Sequence, residues 1–559
     1  MELNNLDTFR GFYYVSSMAN AYTPAKTIFL CAPDLEAGSR EGLERFAKES
    51  GWLELVEADG AVLVMPLAEE GWNKESPLLL ADLYGKMRKS FQSKGGESIP
   101  GRDSVIWCWE TLVYLAGYAE GAVFAGNALA ATPNRFAAVA LINGTPSDYT
   151  AGQNPSDHWL VPEVSIDYEL KNKDIPVCLW LFCKEDGFAD EALSYFSASN
   201  GITSIGIPVK YGDISAVLYK NPLEEANQIR VSTGDFMSEP SLARTIMEAC
   251  FHTVIRWKNA PDGTLKCCLS KAAFYGESRF RHDQVSLNGN IYEFHTYLPE
   301  GMGEDSTKGL PVVFSVHGRG EPAWIFSTKN GWDQLAEETG EFLLVLPDSP
   351  QNIWLYERDR DVFSLIIEKL YETYEVDKTR VYLTGFSNGG MITRQMANYQ
   401  PELFAAVSPW NAPFFDSFDE LLTGGYELPC FICIGDQDEK VPLWENLDQL
   451  LENMLIANRC ERRINQLHNP LKFIPESVRD GSNYYTKENK YKDGDRFLTC
   501  VYNNRDGQIR VCFTIMKNMP HGAVYDESRA AWEFLKQFMR PIGSKHVTVC
   551  RDNSEITLK

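Results

Sequence analysis

Two segments of this chain, Val113–Ala122 and Val381–Gly390, have similar sequences. This repeat constrains the fold more than any other feature of the sequence. The later version reads Val-Tyr-Leu-Thr-Gly-Phe-Ser-Asn-Gly-Gly, and the earlier one, Val113–Ala122, reads Val-Tyr-Leu-Ala-Gly-Tyr-Ala-Glu-Gly-Ala, 268 residues upstream (381 − 113). The register continues without a gap to Phe136–Val139 and Phe404–Val407, which share the sequence Phe-Ala-Ala-Val. Because self-similarity at a fixed spacing is typical of repeated architecture, we expect two tandem copies of one folding unit.

Each half alternates apolar, strand-like runs with helical stretches, which predicts the α/β class: two units, each a mostly parallel sheet with helices on both faces. A chain of 559 residues is too long for a single hydrophobic core and fits two units of roughly 250–300 residues. The polar turn cluster Lys258–Gly263 predicts the boundary, so the predicted domains are 1–262 and 275–559. Residues 443–505 are predicted to form an insertion or a cap within the second domain.

In the second copy, the repeated segment places Ser387 between a strand and a helix, in the pattern Gly-x-Ser-x-Gly. Gly385 and Gly389 permit a turn so tight that the serine hydroxyl is exposed at its apex. The first turn of the following helix offers unpaired backbone N–H groups to a developing negative charge. The motif therefore predicts that Ser387 is a nucleophile.

A serine hydroxyl needs a base and an orienting acid to react. Asp438 follows the apolar run Leu428–Ile434 in the pattern Gly-x-x-Asp-x-x-Val-Pro, where a carboxylate at the end of a strand faces the elbow. Asp436 is the alternative acid. An ordinary solvated turn is the alternative for the whole stretch.

The predicted base is His521, which follows the apolar run Val511–Met516. Apolar spacing after it predicts a closing helix over 530–538. The chain order serine, aspartate, histidine is that of α/β hydrolases, so the three residues support one another as a catalytic triad of Ser387, Asp438 and His521.

An oxyanion hole is predicted from the loop after another apolar strand, Pro311–Val316. The backbone N–H groups of Arg319 and Asn388 are the two predicted donors. The same loop also reads as Gly-x-Gly-x-x-Ala, part of a dinucleotide-binding fingerprint. Pro322 interrupts the helix start that this fingerprint requires, so no cofactor is predicted.

Aromatic residues are frequent at or just after the predicted strand ends, where α/β sheets bind ligands. The candidates are Trp324, Phe326, Trp354, Trp410, Phe414 and Phe415. We predict that Trp324, Trp354, Trp410 and Phe414 line a substrate pocket; core packing is the alternative for each. Such a pocket favours an aromatic or aliphatic acyl ester over a charged substrate.

The residues around these motifs resemble polyhydroxybutyrate depolymerases and feruloyl esterase-type α/β hydrolases over about 285–540. The resemblance is carried by His317–Gly318, Val381–Met391, Leu403–Val407 and Met519–Gly522. It implies a carboxylester hydrolase with the predicted triad and no cofactor. Arg319 stands where that family often has cysteine, and the family's aromatic-rich segment after the histidine is absent.

The first copy lacks the residues that this chemistry needs. Ala119 occupies the nucleophile position, and Pro33, in the loop corresponding to the oxyanion hole, has no N–H to donate. No histidine falls at the position of the base; the nearest, His252, lies inside an apparent final helix. Glu185 and Asp186, near the acid position, have nothing to orient. We predict that this copy is catalytically inactive.

Composition limits the partners and the compartment. The formal net charge of −24 disfavours binding to nucleic acids and anionic membranes. The start of the chain shows no signal-peptide pattern, and the 13 cysteines lie mostly in apolar runs, which indicates free thiols in the cytoplasm. Cys430 and Cys433 could form a zinc or redox pair, but no second pair follows at zinc spacing, so no metal is predicted.

The sequence therefore predicts a cytoplasmic serine esterase acting on small or aromatic acyl esters of the feruloyl, acetyl or hydroxyalkanoate type. A small-molecule ester is the expected partner, and a homo-oligomer remains an open alternative. A serine peptidase of the prolyl oligopeptidase-like type is one alternative function, although the first half lacks the four-stranded repeats of a propeller. A pair of non-catalytic binding modules is the other.

Overall fold

The computed structural model describes residues 3–4, 10–20, 23–92, 108–156, 170–185, 187–257, 263–276, 279–302, 307–412, 419–435, 438, 447–460, 497–516 and 519–550. The chain divides into two compact units, of which the first ends at Ser270 and the second begins at Lys271. The predicted boundary at 258–263 lies mostly outside the described residues. On either side of this predicted boundary, two strands pair with each other: Val254–Arg256 and Leu265–Cys267. The first unit therefore extends beyond residues 258–263.

The strands of the first unit are β1 Gly11–Val15, β2 Ala25–Cys31, β3 Val62–Pro66, β4 Cys108–Tyr118, β5 Ala138–Ile142, β6 Cys178–Cys183, β7 Ile207–Tyr211, β8 Ile214–Lys220, β9 Gln228–Thr233, β10 Val254–Arg256 and β11 Leu265–Cys267. Its helices are α1 Asp34–Ala37, α2 Arg40–Glu49, α3 Trp52–Asp59, α4 Leu79–Gln92, α5 Glu120–Ala131, α6 Asp190–Ser199 and α7 Pro240–Ile246. A π-helical turn, Met247–Phe251, continues α7.

The strands of the second unit are β12 Phe280–Leu287, β13 Asn290–Tyr297, β14 Val312–Val316, β15 Leu343–Pro347, β16 Val381–Phe386, β17 Ala406–Trp410, β18 Cys430–Gly435, β19 Phe497–Asn503, β20 Ile509–Met516, β21 Phe538–Met539 and β22 Thr548–Val549. Its helices are α8 Lys271–Tyr275, α9 Ala323–Asn330, α10 Trp332–Thr339, α11 Tyr356–Asp359, α12 Val362–Thr373, α13 Asn388–Tyr399, α14 Asp419–Gly424, α15 Leu447–Ala457 and α16 Tyr525–Leu535.

Both units have a nine-stranded sheet with a parallel centre. The order is β1-β3-β2-β4-β5-β6-β9-β8-β7 in the first unit and β12-β13-β15-β14-β16-β17-β18-β20-β19 in the second. Strands β3, β2, β4, β5, β6 and β9 are parallel, as are β15, β14, β16, β17, β18 and β20. Antiparallel strands flank each parallel block. The α/β class predicted from the sequence is confirmed.

Helices cover both faces of the second sheet because its central strands are apolar at consecutive positions. On one face, Val381 and Leu383 of β16 join a core with residues of α12 and α13. On the other, the ring of Tyr382 lies edge-on to Trp532 of α16 at 5.9 Å. No described helix has both the length and the apolar character to cross a membrane.

The two units correspond element by element around the repeated segment. Helix α5 and helix α13 begin and end at positions that differ by the same 268 residues, as do β5 and β17. Tyr114 donates a hydrogen bond to the carbonyl of Val254, and Tyr382 makes the same bond to Phe538. The repeat found in the sequence is therefore also a repeat of local structure.

Some predicted bounds shift. The closing helix starts at Tyr525 rather than 530, and His252 lies just after the π-helical turn rather than inside a helix. The predicted insertion 443–505 contains α15, β19 and a long stretch, 461–496, outside the described residues.

Cys430 and Cys433 both lie within β18, and both are buried. Side chains three residues apart on a strand face opposite sides of the sheet, so these two thiols cannot share a zinc ion. Burial raises the pKa of each thiol above its ordinary value. No disulfide joins any of the twelve cysteines whose side chains are described.

Candidate active site

Ser387 occupies the turn between β16 and α13 with left-handed backbone angles, φ 53° and ψ −116°. This conformation is costly for a residue with a side chain and is kept only where its surroundings impose it. The two glycines of the motif permit the close packing: a Cβ at Gly385 would lie 2.3 Å from the carbonyl oxygen of Gly389, and one at Gly389 would lie 2.1 Å from that of Val316.

The structure brings the three predicted triad side chains into one hydrogen-bonded series. His521 Nε2 lies 2.8 Å from Ser387 Oγ, and His521 Nδ1 lies 2.8 Å from Asp438 Oδ2. Because an ionised carboxylate only accepts, the ring hydrogen is on Nδ1 and donates to Asp438. Nε2 is then the acceptor for the hydroxyl of Ser387.

The sheet explains why residues so distant in sequence meet. Ser387, Asp438 and His521 follow β16, β18 and β20, three parallel strands whose carboxyl ends lie at one edge. The side chain of Asp438 is fully buried, and that of His521 is 13% exposed. The alternative acid, Asp436, lies outside the described residues.

The loop that contains His521 is held by two residues that the sequence analysis did not identify. Asn411, at φ 45° directly after β17, donates from Nδ2 to the carbonyl of Gly522 at 2.9 Å. At the start of α16, Glu527 accepts from the N–H of Val524 at 2.8 Å. The signals were present in the sequence, since asparagine tolerates left-handed backbone after a strand and glutamate at the third helical position is a common cap.

The loop after β14 is held by His317, which is 1% exposed. Its Nε2 accepts from the N–H of Ser349 at 3.1 Å, so its hydrogen is on Nδ1, which donates to the carbonyl of Gly318 at 2.7 Å. That carbonyl and the N–H of Arg319 belong to one trans peptide and point in opposite directions. His317 therefore fixes the direction of the N–H predicted to contact an oxyanion.

The second predicted donor, the N–H of Asn388, lies in the first turn of α13, where backbone N–H groups have no acceptor within the helix. The side chain of Asn388 is tied elsewhere: Oδ1 accepts from the N–H of Trp354 at 2.7 Å and Nδ2 donates to its carbonyl at 3.0 Å. These paired bonds join the elbow to the segment after β15.

A buried ion pair lies beside the site. Lys329 of α9 pairs with Glu321, and the two side chains are 5% and 6% exposed. The ammonium of Lys329 lies 3.6 Å from the ring centre of Phe386, and that ring packs against His521 at 4.8 Å. A Cβ at Gly318 would meet Glu321 Oε2 at 2.6 Å, so the pair also supports the loop after β14.

The aromatic residues predicted to line a pocket are mostly buried. Trp410 is 1% exposed and stacks on Trp332, and Trp354 is 3% exposed and stacks on Phe363. Both rings are therefore packed in the interior, the alternative considered for them, and the ring of Trp354 also lies 5.3 Å from that of His317. Trp324 is 7% exposed, so little of its ring can meet a substrate. Phe414 lies outside the described residues.

The matching turn of the first unit keeps the geometry without the hydroxyl. Ala119 has φ 50° and ψ −118°, within a few degrees of Ser387. Glu120, the residue after it, accepts from the N–H of Asp34 at 3.4 Å. Asp34 is the third residue after β2, as Arg319 is after β14, so a carboxylate of the chain itself contacts the N–H that corresponds to a predicted oxyanion donor.

The hydrogen bond from Asn411 to the loop of His521 has a counterpart in the first unit. Asn143, at φ 57°, donates from Nδ2 to the carbonyl of Phe236 at 2.7 Å, just as Asn411 does to Gly522. The residue before the carbonyl that accepts this hydrogen bond is His521 in the second unit and Asp235 in the first. An acid thus stands where the second unit has an imidazole.

Comparisons with known proteins find no matching family model. Among curated proteins, a bifunctional acetylxylan esterase/xylanase of Neocallimastix patriciarum is 30% identical over 24% of this chain and 20% of its own length. Feruloyl esterase B of Thermothelomyces thermophilus is 24% identical over 23% of this chain and 46% of its own length.

Poly(3-hydroxyalkanoate) depolymerase C of Paucimonas lemoignei is 26% identical over 22% of this chain and 31% of its own length. The chain thus spans less than half the length of these curated relatives. Among solved structures, an acetyl xylan esterase from Aspergillus awamori covers 46% of this chain and 99% of its own, with 14% identity and a TM-score of 0.34. The predicted resemblance to feruloyl esterases and polyhydroxyalkanoate depolymerases is confirmed.

Proposed function

We propose that the protein is a carboxylic ester hydrolase of the serine type that acts on small or aromatic acyl esters. The observation that best supports this proposal is the unbroken series of hydrogen bonds from Ser387 through His521 to Asp438. A hydroxyl bonded to an imidazole that a buried carboxylate orients is suited to nucleophilic acyl transfer. The names of the relatives, acetylxylan esterase and feruloyl esterase, support the substrate class.

In the proposed reaction, His521 Nε2 takes the hydroxyl proton while Ser387 Oγ attacks the ester carbonyl carbon. The imidazolium then gives that proton to the alcohol oxygen as the carbon–oxygen bond breaks, which leaves an acyl group on Ser387. Water, deprotonated by His521, attacks the acyl carbon and releases the acid with the serine restored. Asp438 stays ionised and stabilises the imidazolium.

The negative charge on the carbonyl oxygen needs donors that are already in place. The N–H groups of Arg319 and Asn388 are the proposed donors. The peptide of Arg319 is supported by the fixed tautomer of His317, and that of Asn388 by the N-terminal turn of α13.

We also propose that the first unit is a duplicated and catalytically inactive copy. The shared order of eight neighbouring strands and the similar backbone angles of Ala119 and Ser387 support the duplication. The missing hydroxyl at Ala119 and the acid Asp235 at the position of the base support the loss of activity.

The test is hydrolysis of 4-nitrophenyl acetate and ethyl ferulate, with an aminoacyl 4-nitroanilide as the amide substrate. We expect ester turnover that Ser387→Ala reduces by roughly 10⁴-fold or more, because the nucleophile is lost. Ala119→Ser is the matched control and should not add activity. A fluorophosphonate probe, followed by mass spectrometry, should label Ser387 once per chain in wild type and in Ala119→Ser.

Faster turnover of the anilide than of either ester would replace the proposal with a peptidase. Absence of both turnover and labelling in a folded protein, checked by circular dichroism, would overturn the serine mechanism. A second label at position 119 in the control variant would contradict the inactivity of the first unit.

A further inference from the structure

A second cluster of polar side chains in the second unit has no part in the proposed reaction. Glu293 and His295 lie two apart on β13, so they share one face of the strand. β13 pairs with β15, and Asp348, directly after β15, donates its N–H to the carbonyl of Glu293 at 2.8 Å. One ligand atom from each of the three side chains lies within 4.8 Å of the other two.

The carboxylates of the cluster contact histidines and neutral groups, and Asp348 Oδ1 also lies 3.8 Å from Nε2 of His317. Asp348 Oδ2 lies 3.0 Å from Nε2 of the fully buried His295, and Asp348 Oδ1 accepts from the N–H of Ala323 at 2.7 Å. Glu293 is exposed and accepts from the hydroxyl of Tyr275 at 3.3 Å. Within the described part of the chain, neither carboxylate pairs with a lysine or an arginine.

The far side of the buried imidazole is also occupied. His295 Nδ1 lies 2.8 Å from Nδ1 of His282, so one of these nitrogens donates to the other. The rings of Phe274 and Tyr275 pack against both imidazoles and hold them in place. A partner on the remaining ring nitrogen is the usual support of a histidine that binds a metal.

We propose that Glu293, His295 and Asp348 bind a divalent transition-metal ion such as Zn²⁺. One imidazole nitrogen and two carboxylate oxygens form a ligand set that zinc accepts, with a fourth position left to water. The 3.0 Å separation of the histidine and aspartate atoms suits two ligands that are each about 2.1 Å from one ion. Glu293, on an exposed side chain, completes the set by turning from Tyr275.

Metal binding needs the lone pair of His295 Nε2, so the ring hydrogen must be on Nδ1. There His282 Nδ1 accepts it, and the neutral His282 ring carries its own hydrogen on Nε2. Each ring keeps one hydrogen, so binding changes the tautomers without changing the number of protons on the two rings. The proposal is independent of the proposed ester hydrolysis, because it concerns binding alone.

The experiment uses the full chain without an affinity tag, after treatment with a chelator. Titration with Zn²⁺ in a calorimeter should give one site with a dissociation constant in the micromolar range or tighter. Co²⁺, the spectroscopic substitute, should give visible absorption bands of nitrogen and oxygen ligation without the intense near-ultraviolet band of a thiolate. That band distinguishes this site from the exposed Cys267 and Cys550.

Two variants assign the site: Glu293→Gln and His295→Gln should each weaken Zn²⁺ binding at least tenfold. Glu300→Gln, at an exposed position outside the cluster, is the matched control and should bind as wild type does. No binding at millimolar Zn²⁺, or binding that either cluster variant leaves unchanged, would overturn the proposal. Circular dichroism of each variant separates a lost ligand from a lost fold.

Discussion

At the scale of single residues, Ser387 and Ala119 share one strained backbone conformation. Both have positive φ angles at the same turn, although only one carries a hydroxyl. A left-handed residue with a side chain costs about 1–2 kcal/mol, so the surrounding sheet and helix must impose the conformation. The strain at Ala119 therefore reflects the packing of β4 against α5 and not a present need for reactivity.

The identity of the triad acid, Asp438 or Asp436, is also a question about single residues. Asp438→Asn should lower kcat for ester hydrolysis by roughly 10³–10⁴-fold, because the amide favours the wrong tautomer of His521. Asp436→Asn is the matched control, two residues away, and should stay within about twofold of wild type. Steady-state kinetics on 4-nitrophenyl acetate measures both. A larger loss in the Asp436 variant would reverse the assignment.

At the scale of elements, the sequence predicts best what depends on contiguous apolar residues. β14, β16, β18 and β20 lie within a few residues of their predicted bounds because their cores are short, buried runs. The closing helix starts earlier than predicted because Asp526 and Glu527 form a polar first turn that apolar spacing cannot reveal. Capping by Glu527 is the physical signal for that start.

The sequence predicts the candidate-site residues that belong to a local motif. It does not predict the contacts that form only when distant strands pair in the sheet. Ser387, Asp438 and His521 each follow a recognisable strand, so order and spacing identify them. The contact of His295 with Asp348 spans 53 residues and depends on the antiparallel pairing of β13 with β15, which no local pattern encodes. Burial of Trp354 and Trp410 likewise depends on packing partners that are far away in sequence.

One cluster of ion pairs between a helix and its neighbours predicts that the stability of the first unit falls in acid. Asp59, at the end of α3, lies 2.9 Å from Lys26 Nζ of β2 and 3.1 Å from His252 Nε2. Burial alone would raise the pKa of Asp59, but the charge of Lys26 and the hydrogen bonds from His252 and Lys26 lower it to about 2. Because the folded value lies below the ordinary 3.8, the stabilisation is complete above about pH 4 and is lost as the pH falls toward 2.

Asp59→Asn should therefore lower the free energy of unfolding by about 2 kcal/mol at pH 7 and by much less near pH 2. Urea titrations at the two pH values measure the difference. Asp82→Asn, at an exposed position on α4, is the control and should change neither value appreciably. An equal loss from Asp59→Asn at both pH values would contradict the ionic origin of the effect.

At the scale of the whole molecule, the two units share the order of eight neighbouring strands, so one chain contains paired positions that can be compared. Asn411 anchors the loop that carries His521, and Asn143 makes the same bond where no base is present. Asn411→Gly should lower kcat about tenfold, because it frees the carbonyl of Gly522 while glycine keeps the left-handed backbone. Asn143→Gly should lose similar stability but leave kcat per folded molecule unchanged.

Thermal unfolding and active-site titration of the two variants separate these effects. Equal losses of kcat would mean that the anchor acts through general stability alone and not through the position of His521.

The hydrogen bond from the N–H of Asp34 to the carboxylate of Glu120 also bears on the proposed inactivity of the first unit. An anion arriving at this turn would have to displace a tethered carboxylate, and like charges would oppose its approach. If the first unit is inactive as proposed, catalysis there would need a hydroxyl at 119, an imidazole at 235 and removal of the acid at 120. Because no single codon change supplies all three, we expect one point mutation at this turn to leave the first unit without activity.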